Sequence, residues 1–195
     1  MLKNNISEFR TCIIRNYIEQ DDNGFYYYEN GGKLTKWDEV EIQVGATLTP
    51  TQLAKMGRLY TWSQALKACP SGWHLPTDED WEHLIKHINK IKGPFEKHND
   101  DWYEVGLFLK SSLGWSYSSD GIKSEDDFGF AALPAGSYGL GYSYFDDLSL
   151  STNFWSATEK SSNTAWQRYL RYDSESISRD NINKQYGLSV RCLKD

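Results

Sequence analysis

Two stretches of the chain place apolar residues at helical spacing. Trp62, Ala65, Leu66 and Cys69 stand at i, i+3, i+4 and i+7, a single stripe that predicts a buried helix face. Thr61 precedes the stripe and Gln64 follows it by three, the spacing of a capping box. Pro70-Ser71-Gly72 then stops the helix. Thr77 and Asp80 repeat the capping device, and Trp81, Leu84, Ile85 and Ile88 form a second stripe. Acids at 78, 79, 80 and 82 gather at its start and Lys86, Lys90 and Lys92 near its end, as the helix dipole favours.

Elsewhere the period is two or absent. Phe25 to Tyr28, the turn Asn30-Gly31-Gly32 and the alternating run Glu39 to Val44 predict a hairpin and its continuation. Apolar segments at 128–133, 154–158, 165–172 and 185–193 predict later strands, joined by Gly- and Ser-rich connections at 136–151 and 173–184. No internal repeat interrupts this order. Two helices followed by a small, mostly antiparallel sheet with long loops make an α+β domain.

Composition narrows the function. A chain of 195 residues suits one domain, or one domain with an extension. The net charge is −6, and no basic stripe supplies the phosphate neutralisation that nucleic-acid binding needs. No apolar run reaches the length of a membrane span. The stretch Met1 to Cys12 lacks the apolar core of a signal peptide. Aromatic residues reach 15%, with 8 Trp and 13 Tyr, and such stiff amphipathic side chains suit cores and binding surfaces alike.

Three motifs carry a family resemblance. They are Gly57-Arg-Leu-Tyr-Thr-Trp62 with Cys69-Pro-Ser-Gly-Trp-His-Leu-Pro-Thr77, then Gly129-Phe-Ala-Ala-Leu-Pro-Ala-Gly136, then Phe154-Trp-Ser-Ala-Thr-Glu159 leading to Tyr186-Gly-Leu-Ser-Val-Arg-Cys192. Together they resemble the Fibrobacter succinogenes major paralogous domain, a branch of the C-type-lectin-like fold used mostly for binding. The resemblance runs from about residue 57 to the end. Residues 1–50 carry none of its motifs and read as an N-terminal extension packed on a main domain at 51–195. The resemblance implies a Cys69–Cys192 disulfide worth about 2–5 kcal/mol. Two buried free thiols in a reducing compartment are the alternative. Cys12 is left over.

The run from Trp155 to Cys192 is also similar to variable proteins of diversity-generating retroelements in gut bacteria and their phages. There, adenine-directed mutagenesis rewrites surface positions on a lectin-like scaffold. The likeness implies scaffold residues Trp155, Trp166, Leu170, Val190 and Cys192. It implies ligand-facing positions at Asn163, Gln167, Tyr169, Arg171, Ser178, Arg179, Asn181 and Asn183. Strand alternation puts 167, 169 and 171 on the face opposite 166, 168 and 170. Tyr138, Tyr142, Tyr144 and Phe145 form a candidate aromatic patch for stacking on sugar rings, or else part of the core. An ordinary solvated polar face remains the plainer account of the polar run.

Motifs for chemistry are missing. None of the prolines at 50, 70, 76, 94 and 134 sits in the carboxylate–amide loop of calcium-dependent sugar binding. Asp126-Asp127 and Asp146-Asp147 offer oxygen ligands but read as solvated pairs. His83 and His87 have metal-ligand spacing, yet they lie opposite the apolar stripe and lack a third ligand. Ala135-Gly-Ser-Tyr-Gly139 lacks the first glycine of a nucleophile elbow. The segment Gly72-Trp-His-Leu-Pro-Thr-Asp-Glu-Asp-Trp81 also resembles a motif of the formylglycine-generating and sulfoxide synthase families, where the shared pattern starts a helix and carries no chemistry. The expectation is therefore a non-catalytic module with no cofactor and no metal, recognising a protein or glycan ligand on a cell surface. Its place would be a cell surface, the secreted fraction or a phage particle. An adhesin or structural module of the bacterial envelope is the alternative, and an oxidase of the formylglycine type the minor one.

Overall fold

The computed structural model describes residues 56–116, 124–139 and 145–195. Within them, two α-helices and nine short strands alternate with long loops. The helices are α1 (Trp62–Ala65) and α2 (Asp78–Lys92). The strands are β1 (Trp73–His74), β2 (Lys97–His98), β3 (Asp101–Trp102), β4 (Ser137–Tyr138), β5 (Phe145–Asp146), β6 (Ser151–Glu159), β7 (Thr164–Arg171), β8 (Ser178–Asn183) and β9 (Leu193–Lys194). The architecture is mixed α/β with small antiparallel sheets: β1–β9, β2–β3, β4–β5 and the three-stranded β6–β7–β8. The hairpin predicted at 25–44 and Cys12 lie outside the described residues.

Both capping boxes form. The Thr77 hydroxyl accepts from the Asp80 amide at 3.2 Å, and the Asp80 carboxylate accepts from the Thr77 amide at 2.9 Å. Trp81, Leu84, Ile85 and Ile88 are buried on one face of α2, as their spacing predicts. The first helix is shorter than its stripe. It ends at Ala65, the next turn tightens into bonds from Lys67 to Gln64 and Ala68 to Ala65, and Leu66 is 45% exposed. Pro70, which has no amide hydrogen to donate to the Leu66 carbonyl, keeps the helix from resuming beyond that turn.

Three strand expectations are corrected. Residues 128–133 are a loop: Gly129 and Ala131 both take positive φ, and the Ala131 amide donates to the Asp126 carboxylate at 2.8 Å. Residues 173–184 are no plain connection, since β8 lies within them. Residues 185 and 186 complete a turn, and Gly187, Leu188 and Ser189 pair only through single bridges, to Tyr138, Tyr60 and Phe154. That segment follows the free edge of β6, with Ser189 bonded to Asn153 and Trp155.

The three-stranded sheet separates two hydrophobic clusters. One gathers the α2 stripe, Phe108, Phe130, Phe154 and Leu170. The other gathers Ala65, Leu75, Trp155, Ala165 and Leu188, with Val190 packed against it. A disulfide joins Cys69 to Cys192 and ties the end of the α1 segment to the C-terminal segment. Beside it, β9 pairs with β1.

Candidate functional site

Register decides which residues share a surface, because directly paired residues on neighbouring strands point the same way. Phe154, Arg168 and Arg179 form one row, and Trp166 pairs with Asn181 and Thr164 with Asn183 in the rows beside it. These belong to the face on which α2 lies. Trp155, Gln167 and Asp180 form a row of the opposite face, followed by Asn153, Tyr169 and Ser178, and then by Ser151 with Arg171. The expected alternation between 166, 168, 170 and 167, 169, 171 therefore holds. The eight predicted ligand-facing residues nevertheless divide between two faces.

On the α2 side, Arg168 and Arg179 are directly opposed like charges, an unfavourable pair unless neutralised. The first residue of α2 neutralises them. Asp78 Oδ1 accepts from Arg168 Nη2 at 2.8 Å, and Asp78 Oδ2 lies 2.8 Å from Arg179 Nε, an ion pair whose angles fall short of a hydrogen bond. Glu82 takes a second bond from Arg168 Nη2 at 3.1 Å, and Asp100 sits 3.3 Å from Arg179 Nη1. Burial opposes ionisation of Glu82, but the charges and hydrogen bonds of Arg168 and Lys97 outweigh it and hold its carboxyl below the usual value.

Past the N-terminus of α2 the same face opens. Trp166 is half-buried and belongs to neither hydrophobic cluster. The Arg179 guanidinium carbon stands 3.5 Å from its ring centroid, and Lys160 Nζ, from the β6–β7 turn, stands 4.7 Å away. Around this stack Lys160, Asn163, Asn181 and Asn183 are exposed. An aromatic plane, two cations and three side-chain amides give stacking, ionic and bidentate hydrogen-bonding contacts within one patch.

The opposite face is less open than expected. Gln167 is 6% exposed and Ser178 is 8% exposed, which corrects their placement on a ligand-facing surface. The Gln167 row runs into the second cluster through Trp155, which is fully buried. Tyr169 is half-buried and Arg171 is exposed. Arg171 Nε donates to Asp173 at 3.0 Å, and this bond holds the Asp173 carboxyl below its ordinary value. Burial, reinforced by the Asp146 charge, raises that of Asp147. Tyr138 is half-buried in β4, whereas Tyr142 and Tyr144 lie outside the described residues.

The retroelement likeness implies a scaffold role for Trp166, and no sequence motif marks Lys160, Asp78 or Asp100 as residues of the patch. The missed signal is relational: Trp166 acquires its cation only when β8 is recognised as a strand that sets Arg179 diagonally across from it. Among the described residues no group of three or more His, Cys, Asp or Glu side chains gathers to hold a metal. Asp127 pairs with Lys92, Asp146 accepts from the Asp147 amide, and His83 faces Glu79 at 3.9 Å. No described helix is long and apolar enough to cross a membrane.

No curated protein and no solved structure matches the chain. The Fibrobacter succinogenes major domain matches residues 6–194, so the match also takes in most of the stretch read as an extension. With the motifs at 57–77, 129–136 and 154–192 all inside that span, the chain belongs to the Fibrobacter succinogenes major domain family.

Proposed function

We propose that this chain is a non-catalytic recognition module with a C-type-lectin-like fold, binding a protein or glycan ligand on a cell surface through the end of the β6–β7–β8 sheet. One observation carries the reading. Trp166 lies half-exposed outside both hydrophobic clusters, yet is held by Arg179 at 3.5 Å. A large aromatic kept partly in water and pinned by a cation is the kind of residue that dominates binding energy at interfaces. The family, the two capped helices and the Cys69–Cys192 staple are consistent with the lectin-like scaffold implied by the motifs. The reading is tested by a glycan-array and host-surface screen of the wild type beside Trp166→Ala. Binding retained in full by Trp166→Ala removes the patch from the account.

The similarity to retroelement-diversified proteins supports a narrower form of the same reading. Asn163, Asn181 and Asn183 are exposed around Trp166, and asparagine codons begin with two adenines, the base that such mutagenesis rewrites. Gln167, Ser178 and Arg179 belong to the fixed frame in this form, since the first two are buried and the third is paired twice. A reverse transcriptase gene nearby, with a template repeat matching codons 154–192, is the required genomic sign. Absence of both leaves a static recognition module.

A further inference from the structure

We propose that Asp78 is the positioning residue of the Trp166 patch, setting the recognition surface from the first turn of α2. This deepens the recognition reading and rests on it for its biological meaning, although the test below does not.

Asp78 is unusually constrained. It follows the Thr77 cap, and its own amide donates to Thr158 Oγ1 at 2.9 Å, so helix start and sheet fix its backbone together. Both carboxylate oxygens are then engaged, Oδ1 by Arg168 and Oδ2 by Arg179. Without that carboxylate, the two guanidinium groups face each other across β7 and β8 with only Glu82 left on Arg168 and Asp100 on Arg179. Arg168 is fully buried and stays bonded to Glu82, so it is held in place and does not turn away to relieve the repulsion. Arg179 is the member free to move, and moving would dissolve its stack on Trp166.

Two carboxylates hold Arg179, and exposure ranks them. Asp78 is 17% exposed and Asp100 is 51% exposed, so solvent and salt screen Asp100 more strongly. Asp78 sets the position of the guanidinium and Asp100 trims it. With Nε and Nη1 committed to these acids, Arg179 orients Trp166 and leaves ligand contact to Lys160 and the three asparagines. The helix-start motif Leu75-Pro76-Thr77-Asp78 thus acquires a second task, linking the helix cap to the geometry of a remote strand.

The test is nuclear magnetic resonance of the arginine Nε–H groups in the intact chain, which needs no ligand. In wild type the Arg179 Nε–H signal should lie upfield of the ordinary arginine position, under the Trp166 ring, and Trp166→Phe should identify it. Asp78→Asn should return the signal to the ordinary position, while the Trp62 and Trp155 indole signals stay in place. Asp100→Asn should return it only in part, and Asp78→Glu should restore much of the wild-type shift. If Asp78→Asn fails to fold, Asp100→Asn is read alone, and a partial return is still required. An Arg179 signal at the ordinary position in wild type, or one unmoved in every folded variant, overturns the proposal. Trp166-dependent binding would remain a separate question under either outcome.

Discussion

Trp155 and Trp166, one on β6 and one on β7, have opposite roles. Trp155 is fully buried, and its Nε1 donates to the Tyr60 carbonyl at 2.6 Å across the domain. Truncation to alanine there should cost about 3–5 kcal/mol, the usual range for a large core side chain. Trp166 is outside both clusters and stacks on the Arg179 and Lys160 cations. Trp166→Ala should cost about 1 kcal/mol of stability. Urea unfolding of both variants measures the contrast, and equal losses would return Trp166 to the scaffold. The sequence alone could not separate the two, because each follows an apolar residue, Phe154 or Ala165, and precedes a polar one, Ser156 or Gln167. What differs is the partner brought by the third strand.

At the scale of elements, the parts legible in the sequence are those whose partners are local. The α2 boundaries follow from Thr77, Asp80 and the Trp81 stripe, all within a few residues of one another. Thr77→Ala should destabilise by about 1 kcal/mol by removing the cap, read as a lower urea midpoint with unchanged slope. β8 was hidden because Ser178-Arg-Asp-Asn-Ile-Asn183 has a single apolar side chain, Ile182. Its strand comes from the ladder with β7 and from anchoring at its start, where Ile177 and Trp102 exchange two backbone bonds. The turn before it packs so closely on Gly106 that a Cβ there would lie 2.4 Å from the Ser176 carbonyl oxygen.

Lys110 braces the same turn. Its side chain is buried, donates to the Ser174 carbonyl and lies 5.1 Å over the Trp115 ring. Burial lowers its pKa from 10.5 to about 8, against the pull of Asp173 and Glu175. Between those values the unfolded chain keeps a proton that the folded chain has released, so stability rises with pH from about 8 towards 10.5. Below about 8 that contribution is lost. Lys110→Met should flatten the rise when unfolding free energy is followed against pH. An identical slope in wild type and variant would show that the amine is not desolvated as its burial implies.

At the scale of the whole molecule, the Cys69–Cys192 disulfide closes a loop with a sequence separation of 123 and joins the α1 segment to the C-terminal segment. Replacing both cysteines with serine should cost about 3–5 kcal/mol, measured by urea unfolding without reductant. A loss near zero would mean that β1–β9 pairing and the second cluster hold the ends unaided. The family motifs were legible because they encode this frame of caps, staple and buried aromatics. The face they carry was legible only in part, since Gln167 and Ser178 point into the frame and Arg179 is tied to Asp78.

The central claim is that the frame exists to present the Trp166 patch to a ligand. It is tested most directly by screening the wild type on glycan and host-surface arrays beside Trp166→Ala and a Tyr169→Ala, Arg171→Ala double variant. The account predicts a ligand bound by the wild type and the double variant, and weakened at least about tenfold in Trp166→Ala, as for an interface hot spot. Binding that survives in Trp166→Ala and disappears in the double variant would contradict it and move the site to the opposite face of the sheet.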